Sequence, residues 1–108
     1  MKTCPSHLLL ALSALAASGL SQAQDAATQA LYTRSLAATC ANCHGTQGRS
    51  AEGSAVPSLA GMPREAMVTQ LKAFKAGSRP ATIMHQLAKG YSDAQIEQIA
   101  GYFAAQKK

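Results

Sequence analysis

The clearest pattern of apolar and polar positions lies near the end of the chain. Apolar residues recur there at the three- and four-residue spacing of one helix face: Ile96, Ile99, Ala100, Phe103 and Ala104. Ser92 and Gln95 stand just ahead of this stripe, three residues apart, as in a capping box. We therefore predict a helix that begins after Ser92 and runs to about Gln106.

A second apolar stripe follows Pro63, a residue that is favourable in the first turn of a helix. Its members recur at i, i+4 and i+7: Met67, Leu71 and Phe74. Gly77 follows the stripe and is typical of a helix end. The pattern predicts a helix that follows Pro63 and runs to Ala76.

An earlier segment predicts another helix, from Ala26 to Cys43. Asp25 is expected to cap its start, and Gly45 to end it. One side of this helix is expected to carry Leu31, Ser35 and Ala38.

The segments between these helices have loop chemistry. Thr46–Gly61 holds three Gly, three Ser and Pro57, and we expect it to wrap a site. Ser78–Gly90 contains only short apolar pieces, so we expect a loop with one or two helical turns. No alternation of β-branched residues indicates a strand, and the predicted fold is all-α.

The start of the chain resembles a secretory signal. Lys2 is followed by the apolar run Leu8–Ala17 and then by a small-residue pattern that ends at Ala23. We predict cleavage after Ala23, which divides the chain into a signal peptide, 1–23, and a domain, 24–108, exported to the periplasm. The alternative is an uncleaved anchor, but the run is shorter than the roughly 20 residues of a spanning helix. Cys4 would leave with the signal.

Composition and charge limit the functions and partners expected of the 85 residues that remain after cleavage. Such a small domain commonly needs a staple from a disulfide, a metal or a bound group. Loss of Lys2 lowers the formal charge from +5 to +4, and the basic surface suits an acidic partner, a membrane surface or plain solvation. The other lysines are spread along the chain: Lys72, Lys75, Lys89, Lys107 and Lys108. Because no basic run alternates with aromatic residues, nucleic acid is not an expected partner.

The strongest chemical motif is Cys40-Ala41-Asn42-Cys43-His44, the C-x-x-C-H pattern of covalent haem attachment. On one helical turn Cys40 and Cys43 are i, i+3 neighbours, so both sulfurs can reach the two vinyl groups on one porphyrin edge. His44 is then placed to ligate the iron. The motif predicts one covalent haem c, which would also supply the missing staple.

Other uses of paired cysteines fit this chain less well. A structural zinc site needs four ligands, and His85 is the one further Cys or His left after signal removal. A thioredoxin-like dithiol would need a strand before the motif, and a simple disulfide would leave His44 without a role.

The sixth iron ligand has several candidates, because haem iron can bind Met, a second His or an exchangeable group on its far side. Met67 continues an apolar stripe and is expected in the core, while Met62 can lie at the rim. Met84 stands 40 residues after His44 in a loop-like segment, so we predict Met84 as the ligand, with His85 as the alternative.

Laid out in this order, the chain resembles a class I cytochrome c over its mature length. Pro57, in Val56-Pro57-Ser58-Leu59, resembles the family proline whose carbonyl accepts the ring proton of the histidine ligand, which orients that ligand. Gly101 and Tyr102 resemble the residues at which the first and last helices cross.

A closer resemblance is to the cytochrome subunit of flavocytochrome c sulfide dehydrogenase. Gln70–Arg79, Thr82–Met84 and Ala88–Ser92 carry it, and the cytochrome c4 and c553 groups share much of the same pattern. The resemblance implies that Met84 is the axial ligand. It also implies a flavoprotein partner that would carry FAD.

These features predict a haem electron carrier that transforms no substrate itself. One hypothesis is a subunit that takes electrons from a sulfide-oxidising FAD flavoprotein. The alternative is a free-standing c4/c553-like carrier between soluble or membrane redox partners, ending at an oxidase or reductase. A third is a haem catalyst or gas sensor with an open iron position, expected if Met84 does not bind.

Overall fold

A computed structural model describes residues 6–108, and the side chains of residues 22–108. Within this range the chain forms five α-helices and one 3-10 turn, with no strand: α1 Ser6–Ala38, α2 Ala41–His44, the turn Thr46–Gly48, α3 Arg64–Ala76, α4 Met84–Lys89 and α5 Asp93–Ala104. The predicted all-α class is therefore confirmed. Met1, Lys2 and Cys4 lie outside the described residues.

The chain divides into two compact units, one that ends at Leu31 and a second that covers Tyr32–Lys108. In the first unit Thr28 Oγ1 donates to the Gln24 carbonyl along the helix, and residues 22–31 are exposed. The predicted cleavage after Ala23 falls within this unit and stays a prediction. None of the described helices combines the length and the apolarity that crossing a bilayer requires.

The predicted helix Ala26–Cys43 has the wrong bounds at both ends. Helix α1 runs through Asp25 without interruption, because the surrounding Ala, Leu and Gln residues are strong helix formers. It ends at Ala38, since Thr39 and Cys40 form a turn. In that turn the Cys40 amide donates to the carbonyl of Ala37, only three residues earlier, at 3.1 Å. Helix α2 then restarts at Ala41.

The side of α1 predicted to carry Leu31, Ser35 and Ala38 is not its buried side. All three of these side chains are exposed. Instead Ala37 is buried, at 2% exposure, and Leu36 and Cys40 pack against the same core cluster. The buried side of α1 is set by the small Ala37 side chain, which belongs to one core cluster with Ile99, Ala100 and Phe103 of α5.

Helix α5 confirms its predicted cap and stripe. The Gln95 amide donates to Ser92 Oγ at 3.2 Å, and the Ser92 amide donates to Gln95 Oε1 at 2.8 Å, so both halves of the capping box are present. Four stripe residues are almost fully buried, at 1% exposure or less: Ile96, Ile99, Ala100 and Phe103. The helix ends at Ala104, two residues before the predicted Gln106.

Gly101 does not occupy the expected helix crossing. A Cβ built at this position would have Arg64 Nε at 3.8 Å as its near neighbour, and no described atom of α1 within 4 Å. The core cluster that includes Ala37 is instead completed from α5 by Ile99, Ala100 and Phe103, while Tyr102 packs at its margin. Tyr102 therefore packs on the cluster that α1 and α5 share, while Gly101 lies beside Arg64 of α3.

Helix α3 has its predicted bounds and packs against α4 and α5. Pro63 precedes it, and Gly77 ends it in the left-handed conformation at φ +77°. Met67 is 3% exposed within the core cluster, which confirms its expected core role.

Three ion pairs join α3 to α5. Arg64 Nη2 lies 2.6 Å from Glu97 Oε2, Lys72 Nζ lies 3.3 Å from Glu97 Oε1, and Lys75 Nζ lies 2.8 Å from Asp93 Oδ1. Two of the lysines that make the chain basic are therefore already paired with acids of their own fold, which weakens their part in any docking surface.

Candidate functional site

The C-x-x-C-H residues occupy a single helical turn. The amides of Cys43 and His44 both donate to the Cys40 carbonyl, at 3.2 and 2.9 Å. Both thiols are free, Cys40 half-buried and Cys43 exposed. The i, i+3 placement of two sulfurs beside the imidazole is thus built into the local backbone.

The neighbourhood of Cys40 keeps its sulfur in the thiol form. Burial raises the pKa of the Cys40 thiol, and the nearby Cys43 adds to that rise.

His44 is buried, and one hydrogen bond orients its ring. Nδ1 lies 2.7 Å from the carbonyl oxygen of Pro57. A carbonyl can only accept, so Nδ1 carries the proton and Nε2 keeps the lone pair that a metal requires. The His44 carbonyl in turn accepts from Ser50 Oγ at 3.3 Å.

The loop that carries Pro57 is tied to one carbonyl oxygen, that of Gly48. Three consecutive residues donate to it: the Ser58 hydroxyl at 2.8 Å, the Leu59 amide at 2.7 Å and the Ala60 amide at 3.1 Å. This arrangement holds the segment directly after Pro57, and the Pro57 carbonyl therefore stays in reach of the His44 ring. Sequence reasoning missed Ser58, since a serine in a Gly- and Ser-rich loop carries no distinct signal.

The Gly48 backbone packs directly against the ring of Phe103 in the core. That backbone adopts φ +79°, and a Cβ there would lie 2.6 Å from Cδ1 and 2.8 Å from Cε1 of Phe103. The Gly61 amide also donates to the Phe103 carbonyl, at 2.9 Å. The loop around the site is thus anchored to α5 at both of its ends.

Of the candidates for the sixth ligand, Met84 and His85 lie on α4, and Met62 lies just before α3. Met84 is the first residue of α4 and is half-buried. His85 follows it, with a buried Nδ1 that has no hydrogen-bond partner among the described residues. Met62 packs at the margin of the core and lines an open cavity of about 570 Å³, which none of the predicted site residues lines.

These residues fit a covalent haem by their chemistry. Cys40 and Cys43 offer two thiols on one turn, and His44 offers a lone pair on Nε2. Ile83, which directly precedes α4, and Leu87, on α4, have apolar side chains that are 54% and 46% exposed, as contact with an apolar ring would need. The structure joins Cys40, Cys43, His44 and Pro57 by hydrogen bonds and places Met84 on the separate helix α4; which of them ligate the iron stays a prediction.

The Arg79 side chain contacts two residues of α3. Its Nη1 donates to Gln70 Oε1 at 2.6 Å, and its guanidinium lies 4.6 Å from the centre of the Phe74 ring. Both partners belong to α3, so the side chain is held on that helix.

Comparison with known proteins identifies the family. The cytochrome c family model matches residues 26–107. The cytochrome subunit of sulfide dehydrogenase from Chlorobaculum tepidum is 47% identical over 68 residues, which cover 63% of this chain and 60% of that protein. Cytochrome c4 from Pseudomonas aeruginosa is 36% identical over 98 residues, 91% of this chain and 48% of that protein.

A solved structure of cytochrome c4 from Acidithiobacillus ferrooxidans shares the fold, with a TM-score of 0.58 and 36% identity over 61% of this chain and 37% of that one. The chain spans 60% or less of the length of these three relatives. Its C-x-x-C-H motif, its all-α fold and the family match to residues 26–107 together show that the chain belongs to the cytochrome c family.

Proposed function

We propose that Cys40 and Cys43 form the haem thioethers and that His44 and Met84 are the axial ligands of a one-electron carrier. The observation that supports this most is the 2.7 Å contact between His44 Nδ1 and the Pro57 carbonyl, which leaves Nε2 as the metal-binding nitrogen. When bound, the haem supplies an iron that alternates between the ferric and ferrous states. Thioether sulfur favours ferrous iron over a second imidazole, so a positive potential is expected.

Replacement of Met84 by Ala tests the ligand set. We expect loss of the weak near-red sulfur-to-iron band of the ferric protein. Met62→Ala is the matched control, because Met62 is another half-buried methionine, and it should keep the band. An unchanged spectrum in Met84→Ala would overturn Met84 as the ligand, and a wild-type iron that binds external ligands freely would favour the catalyst or gas-sensor alternative.

Export is part of the proposal. Removal of residues 1–23 would leave the whole of the second unit, Tyr32–Lys108, intact. Residues 22–30 around the proposed cut are exposed, which suits a peptidase. The mass of the protein purified from periplasm should match a chain that begins at Gln24 with one haem. A mass that includes residues 1–23 would overturn cleavage.

The proposed electron donor is a sulfide-oxidising flavoprotein that carries FAD. The support is the 47% identity to a cytochrome subunit of sulfide dehydrogenase. Because the paired Lys72 and Lys75 are partly neutralised, we expect contact with such a partner to involve more than these two charges. Co-purification with a yellow flavoprotein, and haem reduction when sulfide is added to the pair, are the expected results.

The alternative is a free-standing carrier, and the cytochrome c4 relative favours it, since that match covers 91% of this chain. A chain that purifies alone as a monomer and takes no electrons from a sulfide-reduced flavoprotein would establish this alternative. Reduction by a membrane donor and oxidation by a terminal oxidase would then be expected.

A further inference from the structure

Tyr91 forms a hydrogen bond that joins two parts of the site far apart in sequence. It lies between α4 and α5, and its ring packs against the core cluster. Its hydroxyl lies 2.5 Å from Thr39 Oγ1, although 52 residues separate the two. Thr39 directly precedes Cys40, so this bond reaches the turn that carries the first attachment cysteine.

The direction of this bond follows from the number of hydroxyl protons. Thr39 Oγ1 already donates its one hydrogen to the Leu36 carbonyl, at 2.8 Å. The Tyr91 hydroxyl must therefore be the donor to Thr39. The result is a directed chain from Tyr91 through Thr39 to Leu36, which satisfies a carbonyl in the last turn of α1.

A backbone hydrogen bond also joins Tyr91 to α4. Its amide donates to the carbonyl of Ala88 at 3.2 Å, and Ala88 is fully buried in the last turn of that helix. Helix α4 has only six residues and begins at Met84. A helix this short is not stable by itself, so its position depends on tertiary contacts.

We propose that Tyr91 is a positioning residue: through its bond to Thr39 it holds α4, and with it Met84, against the turn that carries Cys40. The inference rests on the proposed ligation of iron by Met84. While the hydrogen bond between Tyr91 and Thr39 is intact, outward movement of α4 is disfavoured, and Met84 would stay within reach of the iron of a bound haem. When that hydrogen bond is lost, α4 moves outward more often, and an external ligand would compete better for the iron.

The test is imidazole binding to the ferric, haem-loaded protein, because imidazole can bind only when Met84 has left. A hydrogen bond of ordinary strength corresponds to an increase of about fivefold in imidazole affinity in Tyr91→Phe. The near-red band without imidazole should be retained. Tyr102→Phe is the matched control: its ring packs on Phe103 in the same core, and its hydroxyl has no hydrogen-bond partner among the described residues.

Two Thr39 variants separate positioning from a general loss of stability. Thr39→Val should raise imidazole affinity as Tyr91→Phe does, and the double variant should show no further increase. Thr39→Ser keeps the hydroxyl and should behave as the wild type. Additive effects in the double variant, or imidazole affinity in Tyr91→Phe equal to that of Tyr102→Phe, would overturn the proposal.

The wild-type spectrum distinguishes failure of Met84 ligation from failure of the Tyr91 positioning role. Absence of the sulfur-to-iron band in the wild type would overturn Met84 ligation, and the positioning role with it. A wild-type band together with unchanged imidazole affinity in Tyr91→Phe would overturn the positioning role alone.

Discussion

Replacement of Gly48 by Ala tests how the core supports the site. The new Cβ would lie 2.6 and 2.8 Å from two ring carbons of Phe103 and 3.0 Å from Leu59 Cβ. Phe103 is 1% exposed, so its ring has little room to move away. Gly53 is the matched control, because it has nearly the same backbone angle, φ +76°, and no atom within 4 Å of its Cβ position.

Both variants place a side chain on a left-handed backbone, but only Gly48→Ala also forces a methyl group into the filled core. A left-handed conformation costs a non-glycine residue about 1–2 kcal/mol, and the stiffer unfolded chain offsets about 0.4–1 kcal/mol of that. Gly53→Ala should therefore lose at most about 1.5 kcal/mol of unfolding free energy. Gly48→Ala adds the overpacking of a filled core, typically about 1–3 kcal/mol, and should be less stable than Gly53→Ala by that amount.

Denaturant unfolding of the haem-loaded protein, followed by far-ultraviolet circular dichroism, measures this difference. The midpoint potential should also change in Gly48→Ala and stay constant in Gly53→Ala, because the Gly48 carbonyl holds the segment after Pro57. Unfolding free energies within about 0.5 kcal/mol of each other, the usual scatter between independent sites, would refute the steric argument.

Three further predictions concern single contacts. Ser58→Ala should raise the midpoint potential, since a less firmly held Pro57 carbonyl makes the imidazole less basic, and an unchanged potential would contradict this. Ser92→Ala should lower the unfolding free energy by about 1 kcal/mol through loss of the helix cap; a denaturation midpoint equal to that of the wild type would show that the cap adds nothing. The hydrogen bond from Lys75 and its charge lower the pKa of Asp93, so this pair stabilises the fold above the unfolded-state pKa and the benefit is lost as pH falls through the lowered pKa. The stability of the wild type over Asp93→Asn should therefore be present near neutral pH and vanish in acid, and a gap independent of pH would disprove it.

Local sequence determined the elements whose signals lie within a few residues. Ser92 and Gln95 predicted the cap of α5, and Pro63 and Gly77 predicted the bounds of α3. The attachment turn was equally predictable, because i, i+3 spacing places Cys40 and Cys43 on one turn wherever that turn lies in the fold. In each case the backbone geometry depends on neighbours along the chain.

Only the tertiary structure decided which face of each element is buried and what supports the site. The buried face of α1 is centred on Ala37 because of what α5 presents to it, and no local pattern contains that information. The three donors to the Gly48 carbonyl and the bond from Tyr91 to Thr39 also join residues that are distant in sequence. Polar groups in a packed interior must find partners wherever the fold brings them together, so such contacts appear only after the helices have packed.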